Sequence, residues 1–350
     1  MLRRVKLARA AVLSGLAVAV LAGAVVGGDS EARPGVEATA RADMRPVVLA
    51  FGGDVHFEGA LESKLATSAA RMLAPIEPVF RRADLAVVNL ETAVTNGGAA
   101  ASKLFTFRAP APAFAALRGG GVDVASMANN HGLDYGVDGL RDSLAAANRY
   151  DFPVVGIGLN AKQAYRPFRR TINGQRVAVI GATQVLDDHL ISAWTAGPGK
   201  PGLASAKDVP RLLQEVRAAR RTSDTVVVYL HWGVELEQCP STDQRALAKA
   251  LVAAGADVVV GGHAHRLQGA GRLGQALVGY GLGNFVWYGT SELSTRTGVL
   301  LVTVDGRRVV GYRWVPARIV DGVPRPLSGA ERRREVSSWR ALRGCTGLRP

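Results

Sequence analysis

Seven short apolar runs, at 47–51, 85–88, 122–125, 154–157, 177–180, 226–230 and 258–260, each end in a polar or glycine-rich turn. Uninterrupted runs of this length read as strands covered on both faces. The segments at 137–149, 209–221 and 243–254 carry their apolar residues at helical spacing instead, so strands and helices alternate and predict a layered α/β domain. Asp208 ahead of Val209-Pro210 and Ser241 ahead of Thr242-Asp243 stand where helix-capping residues belong. Beyond Gly298 the pattern changes: apolar runs at 299–304 and 309–315 flank Asp305-Gly306, the signature of a hairpin.

The chain ends read differently. Arg3, Arg4, Lys6 and Arg9 precede a weakly apolar run over 10–26, and Ala22-Gly23-Ala24 offers a small-residue cleavage site, the layout of a secretory signal. The run is about 17 residues long, the lower limit for crossing a bilayer, so a retained anchor is the alternative. The expected division is a signal peptide or N-terminal anchor at 1–28, a flexible lead-in at 29–45, a domain at 46–320 and a basic C-terminal tail at 321–350.

The formal charge of +14 gathers at those ends. Over 306–350 eleven arginines face only Asp321, Glu331 and Glu335, which leaves a nearly neutral body. That distribution, in a tail sparse in aromatic residues, argues against nucleic acid as a partner. It fits either attachment to anionic material outside the cell, an acidic polymer or lipid headgroups, or a merely solvated tail. Cys239 and Cys345 are the only cysteines; an oxidising compartment could pair them, and two cysteines so far apart make no zinc or CxxC site.

Five of the six histidines directly follow predicted strands: His56 in GGDVH, His131 in NNHG, His231 in LHWG, and His263 and His265 in GGHAH; His189 lies elsewhere. Asp54, Glu91 and Asn130 occupy equivalent strand ends. In an open α/β sheet the loops beyond the carboxyl ends of the strands converge on one crevice, which gathers these residues. Imidazole and carboxylate together suit Zn, Mn or Fe, and seven candidate ligands exceed one tetrahedral site, so two divalent ions fit better. Two such ions can activate water and neutralise charge on a phosphoryl group. Gly279 to Gly283, GYGLG, mimics a dinucleotide loop but leads into Asn284-Phe285-Val286-Trp287 rather than a helix. HExxH, GxSxG and P-loop motifs are absent, which removes the zincin, serine-hydrolase and NTPase readings.

Taken in order, GGDVH, VVNLET, FRAP, ANNHGLDYG, LHWGVE, GGHAHRLQG and GLGNFVW resemble the bacterial capsule-synthesis or poly-γ-glutamate-synthesis (CapA) family, which is related to calcineurin-like metallophosphoesterases. The resemblance spans 47 to about 290. It implies a four-layer α/β/β/α sandwich of the metallophosphoesterase type with a dinuclear metal site. Asp54, His56 and His265 would hold one ion, Asn130, His231 and His263 the other, and Glu91 would bridge, where the wider pattern usually has Asp. His131 would stand outside the ligand set as the catalytic group, protonating the leaving oxygen or stabilising the developing charge. With the signal layout of the N-terminus, the resemblance implies an exported, metal-dependent hydrolase in the cell envelope, cleaving a phosphoester or a γ-glutamyl-type amide of an acidic polymer in capsule or poly-γ-glutamate metabolism. A non-catalytic protein that grips such a polymer during its synthesis or export is the alternative.

Overall fold

The computed structural model describes residues 44–350; the expected signal or anchor, and the lead-in up to residue 43, lie outside the described residues. The apolar runs form two sheets. In the first, β1 (Val47–Val55), β2 (Leu85–Leu90) and β3 (Val124–Ser126) run parallel, and Val154–Val155 extends them at the edge. In the second, β4 (Gln175–Thr183), β5 (Thr225–Trp232) and β6 (Val258–His263) run parallel, with Ala276–Gly279 beside β6. The short strand β7 (Asn284–Val286) then returns to the first sheet, parallel to β1. The predicted hairpin is β8 (Arg296–Asp305) and β9 (Arg308–Val320), turning at Gly306-Arg307, and β8 pairs antiparallel with β1.

The period of two along each strand sorts side chains into three apolar layers. Leu49, Phe51 and Val87 of the first sheet meet Val179, Val227, Tyr229 and Val260 of the second in a core between the sheets. The alternate residues face outward. Ala50 and Val88 pack under helices that include α1 (Gly136–Arg149), while Val226, Val228 and Leu230 pack under α2 (Val209–Thr222) and α3 (Thr242–Ala254). The order helix, sheet, sheet, helix is the four-layer α/β/β/α sandwich expected. The caps hold too: Asp208 accepts from the amide of Arg211, and Ser241 forms a reciprocal capping box with Gln244.

Two expectations need correction. The run at 154–157 is not one strand, because Gly156 takes φ +90° and splits it: Val154–Val155 stays in the first sheet, and Ile157–Gly158 pairs with Gly202–Leu203. The segment 321–350 is not a tail. Val323–Pro326 adds a strand to β9, and α4 (Gly329–Ala341) lays Trp339 against Trp314 in the inter-sheet core, ring centroids 5.0 Å apart. A 3-10 turn, Leu342–Cys345, follows, Arg349 exchanges backbone hydrogen bonds with Arg272, and Cys345 forms a disulfide with Cys239. Four of the arginines that suggested a tail, Arg332, Arg333, Arg334 and Arg340, lie exposed on α4, while its one buried side chain, Trp339, and the bonds of Arg296 to Glu335 and Ser338 seat the helix. Among the described residues no helix is long and apolar enough to cross a membrane.

Candidate metal centre

The predicted residues converge at the carboxyl ends of both sheets. The first sheet delivers Asp54, His56, Glu91, Asn130 and His131; the second delivers His231, His263 and His265. Asp54 is fully buried and held from two sides, Oδ1 accepting from Asn89 Nδ2 at 2.8 Å and Oδ2 from the backbone amide of His263 at 2.9 Å. A β-carbon at Gly262 would stand 1.9 Å from Asp54 Oδ1, so only glycine lets β6 come this close. His263 and His265 both adopt positive φ, +89° and +50°, a conformation costly outside glycine that recurs where backbone is held for function.

Glu91 sits at the centre. Its Oε1 lies 3.6 Å from His231 Nε2, 3.8 Å from His265 Nε2 and 3.9 Å from His131 Nε2. These gaps exceed a hydrogen bond and approach the roughly 3–4 Å between two ligands that share an ion. Ligand atoms of Glu91, His231 and His263 lie within 4.8 Å of one another, as do those of Asp54, Glu91 and His265. Both Glu91 oxygens, both His56 nitrogens and His263 Nδ1 are buried with no hydrogen-bond partner. Buried polar atoms are almost always paired, so five such orphans in one place are what a cation-binding pocket presents. The donor set fits the divalent ions predicted for it.

Protonation agrees. Burial, reinforced by Asp54, holds the Glu91 carboxyl well above the usual range. Burial, with the neighbouring histidines, holds His56 and His231 well below theirs and pushes His263 down to about 3. Neutral imidazole is the form that can ligate a metal.

The remaining predicted residues separate into roles. Asn130 Oδ1 and His231 Nε2 are 2.7 Å apart and point to one place. Asn129 faces away from it: its amide donates to Asn89 Oδ1 and to the carbonyl of Leu90, and its oxygen accepts from the amide of His131, which fixes the loop. His56 is enclosed by Trp287, Tyr288 and Phe107 and belongs to neither of the two clusters above. His131 stacks on Phe107 at 4.0 Å and donates from Nδ1 to Asp134 Oδ2 at 2.6 Å, which leaves Nε2 turned towards Glu91. Burial lowers the pKa of His131, opposed by its bond to Asp134. His189 is exposed and joins none of the groups of converging ligand atoms. Beside the centre, a cavity of about 620 Å³ opens between Tyr288, Lys64, Thr290 and Thr295.

Five residues of this centre were not predicted. Asn89 orients Asp54 and stands 3.1 Å from His231 Nδ1; Asn284 Oδ1 lies 2.9 Å from His265 Nδ1. Asp134 accepts from His131, from Lys103 at 2.9 Å and from the amide of Phe107, and Lys103 also reaches the carbonyl of Asn130. The fifth, Glu235, is exposed, yet its carboxylate falls within 4.8 Å of His263 and His265 nitrogens. Asn89, Asp134 and Asn284 sit inside motifs already singled out, VVNLET, ANNHGLDYG and GLGNFVW. A polar side chain in an otherwise buried strand or turn was the available signal.

Residues 48–288 match the family model described as bacterial capsule synthesis protein PGA_cap. The capsule biosynthesis protein CapA of Bacillus anthracis is 36% identical over 223 residues, 61% of this chain and 52% of that protein. The PGA biosynthesis protein CapA of Bacillus subtilis (strain 168) is 32% identical over 244 residues, 68% of this chain and 62% of that protein. The chain thus spans about half to three fifths of the length of these relatives. A solved structure of a hypothetical protein from Thermus thermophilus aligns with a TM-score of 0.49 at 19% identity, over 77% of this chain and 99% of that one.

Proposed function

The chain belongs to the bacterial capsule synthesis protein family, and from that premise we propose that it is an exported, two-metal hydrolase of the cell envelope. Its substrate is a phosphoester or a γ-glutamyl-type amide within an anionic polymer, the chemistry nearest to the capsule and PGA biosynthesis named for its relatives. The observation that carries the reading is the group of orphaned buried donors on Glu91, His56 and His263 beside the histidines of the second sheet.

In this reading Asp54 and His265, with His56 at the margin of the converging groups, would hold one divalent ion, Asn130, His231 and His263 would hold the other, and Glu91 would serve as a shared carboxylate. When bound, such ions polarise the scissile group and make water a nucleophile at neutral pH. The chain's own groups do the rest. Asn89 and the His263 amide keep both oxygens of Asp54 aimed, and Asn284 fixes the ring of His265. Asp134 holds the His131 proton on Nδ1, so that Nε2 can take up a proton and deliver it to the departing oxygen or nitrogen. Lys103 neutralises Asp134 without competing for the site.

A second reading, a non-catalytic metal protein that grips anionic polymer during synthesis or export, is favoured by the exposed Arg332, Arg333 and Arg334 on α4. Elemental analysis of the purified protein, followed by turnover assays on phosphomonoesters, phosphodiesters and poly-γ-glutamate, separates the two. Metal with cleavage of any of these supports the hydrolase; metal with cleavage of none supports the binding protein; absence of metal refutes both.

A further inference from the structure

Glu235 lies outside the ligand set carried over from the family resemblance. It sits on the segment 233–240 that leaves β5 just after His231, and its side chain is exposed where Glu91 is buried. Its carboxylate nonetheless lies within 4.8 Å of ligand nitrogens of both His263 and His265. The two histidines therefore meet a carboxylate on each side, Glu91 from the interior and Glu235 from the solvent.

An exposed glutamate on a loose loop would spend little time there, since ordering a long side chain and its backbone costs conformational entropy. This loop is not loose. Leu236 donates its amide to the carbonyl of Ala264, the residue between the two histidines, at 2.8 Å, and takes φ +65° to do so. Gln268 donates from Nε2 to the carbonyl of Glu237 at 2.9 Å, and Gln244 holds Gln268 Oε1 at 3.0 Å. Cys239 then ties the loop covalently to Cys345 in the C-terminal 3-10 turn. Three attachments within four residues fix the backbone that carries Glu235.

We propose that Glu235 is a further metal ligand, presented to His263 and His265 from the solvent side by a loop whose position the Cys239–Cys345 disulfide maintains. The proposal rests on the two-metal reading above and adds to it a removable, outer carboxylate. It also gives the folded C-terminal segment a part in metal retention, although Cys345 lies far from the site in sequence.

The test measures metal affinity rather than activity. The full chain, loaded with Mn²⁺, is titrated against a competing chelator, and Glu235→Gln, Cys239→Ser/Cys345→Ser and the triple variant are compared with it. Glu235→Gln should weaken retention of Mn²⁺ by at least about tenfold, within the 10–100-fold range that supporting groups of metal sites command. The serine pair should weaken it in the same direction. The triple variant should be no weaker than Glu235→Gln alone, because the disulfide acts through Glu235. Unchanged affinity in Glu235→Gln would overturn the proposal while leaving the two-metal reading intact, and so would serine-pair and glutamine effects that simply add. A parent chain that holds no metal would overturn both. Since Glu235 is exposed, Glu235→Gln decides the matter even if the serine pair fails to fold.

Discussion

Glu91→Gln should make the chelator-stripped protein more stable and the metal-loaded protein less so, a reversal that few structural roles produce. Both Glu91 oxygens are buried without a partner, and burial holds the carboxyl well above its ordinary value of 4.5. A carboxyl whose folded pKa is raised favours folding below its unfolded pKa and loses that contribution as pH climbs towards the folded value. Whatever the size of the rise, its cost at pH 7 cannot exceed the gap from the ordinary value at about 1.4 kcal/mol per pH unit, roughly 3 kcal/mol. Glutamine has nearly the same shape and no charge to desolvate. The stripped variant should therefore match the parent near pH 4.5 and gain on it up to about 3 kcal/mol by pH 7. The lowered histidines act oppositely, losing stability as pH falls below their unfolded value, but they are common to both proteins and cancel in the difference. Metal at about a thousand times its dissociation constant should add about 4 kcal/mol to the parent and clearly less to the variant. Urea unfolding at several pH values, with chelator and with Mn²⁺, measures all four quantities. A stripped variant no more stable than the parent at pH 7, together with equal metal stabilisation of both, would refute the assignment of Glu91 as a desolvated ligand.

The other expectations are simpler to state. His263→Ala and His265→Ala should each lower metal content by up to about one equivalent on elemental analysis, since each removes a ligand from one ion; full retention in both would refute a dinuclear centre. His131→Ala should keep its metal, because His131 belongs to none of the groups of converging ligand atoms and its Nδ1 is committed to Asp134, while kcat falls by about 10²–10⁴ on substrates with poor leaving groups and less on nitrophenyl esters. Loss of metal in parallel with activity would make His131 a ligand instead. Trp339→Ala should destabilise the fold by about 3–5 kcal/mol in denaturant titration, the usual cost of emptying a buried aromatic site, whereas a detached tail would show no change.

The parts of this fold legible in the sequence are those written in local pattern. Unbroken apolar runs marked β1, β2, β4, β5 and β6, the capping serine and aspartate marked α2 and α3, and the placement of histidines after strands marked the centre. What escaped was set by contacts distant in sequence. Nothing near Asn89 announces that it will meet Asp54 and His231, and although Cys239 could be expected to pair with Cys345, nothing announced that this pairing would fasten the loop bearing Glu235 beside His263 and His265. The helix α4 was hidden by its own surface: a run of arginines outweighs a single tryptophan in any count of composition, yet the tryptophan decides where the helix lies. Gly156 split a run that composition alone presents as continuous, because its φ is invisible until the sheet is built.

The pairing of β1 with β8 imposes an order on assembly. Val47 meets Val304 and Phe51 meets Leu300, so one edge of the strand that carries Asp54 stays open until nearly the whole chain is available. Such long-range pairing is slow, and an unpaired apolar edge invites association with other chains while it waits. Since the two sheets each bring part of the centre, the candidate ligands come together only once both sheets have formed. A truncation before residue 296 would leave every candidate ligand present while stripping β1, the strand that carries Asp54, of its antiparallel neighbour.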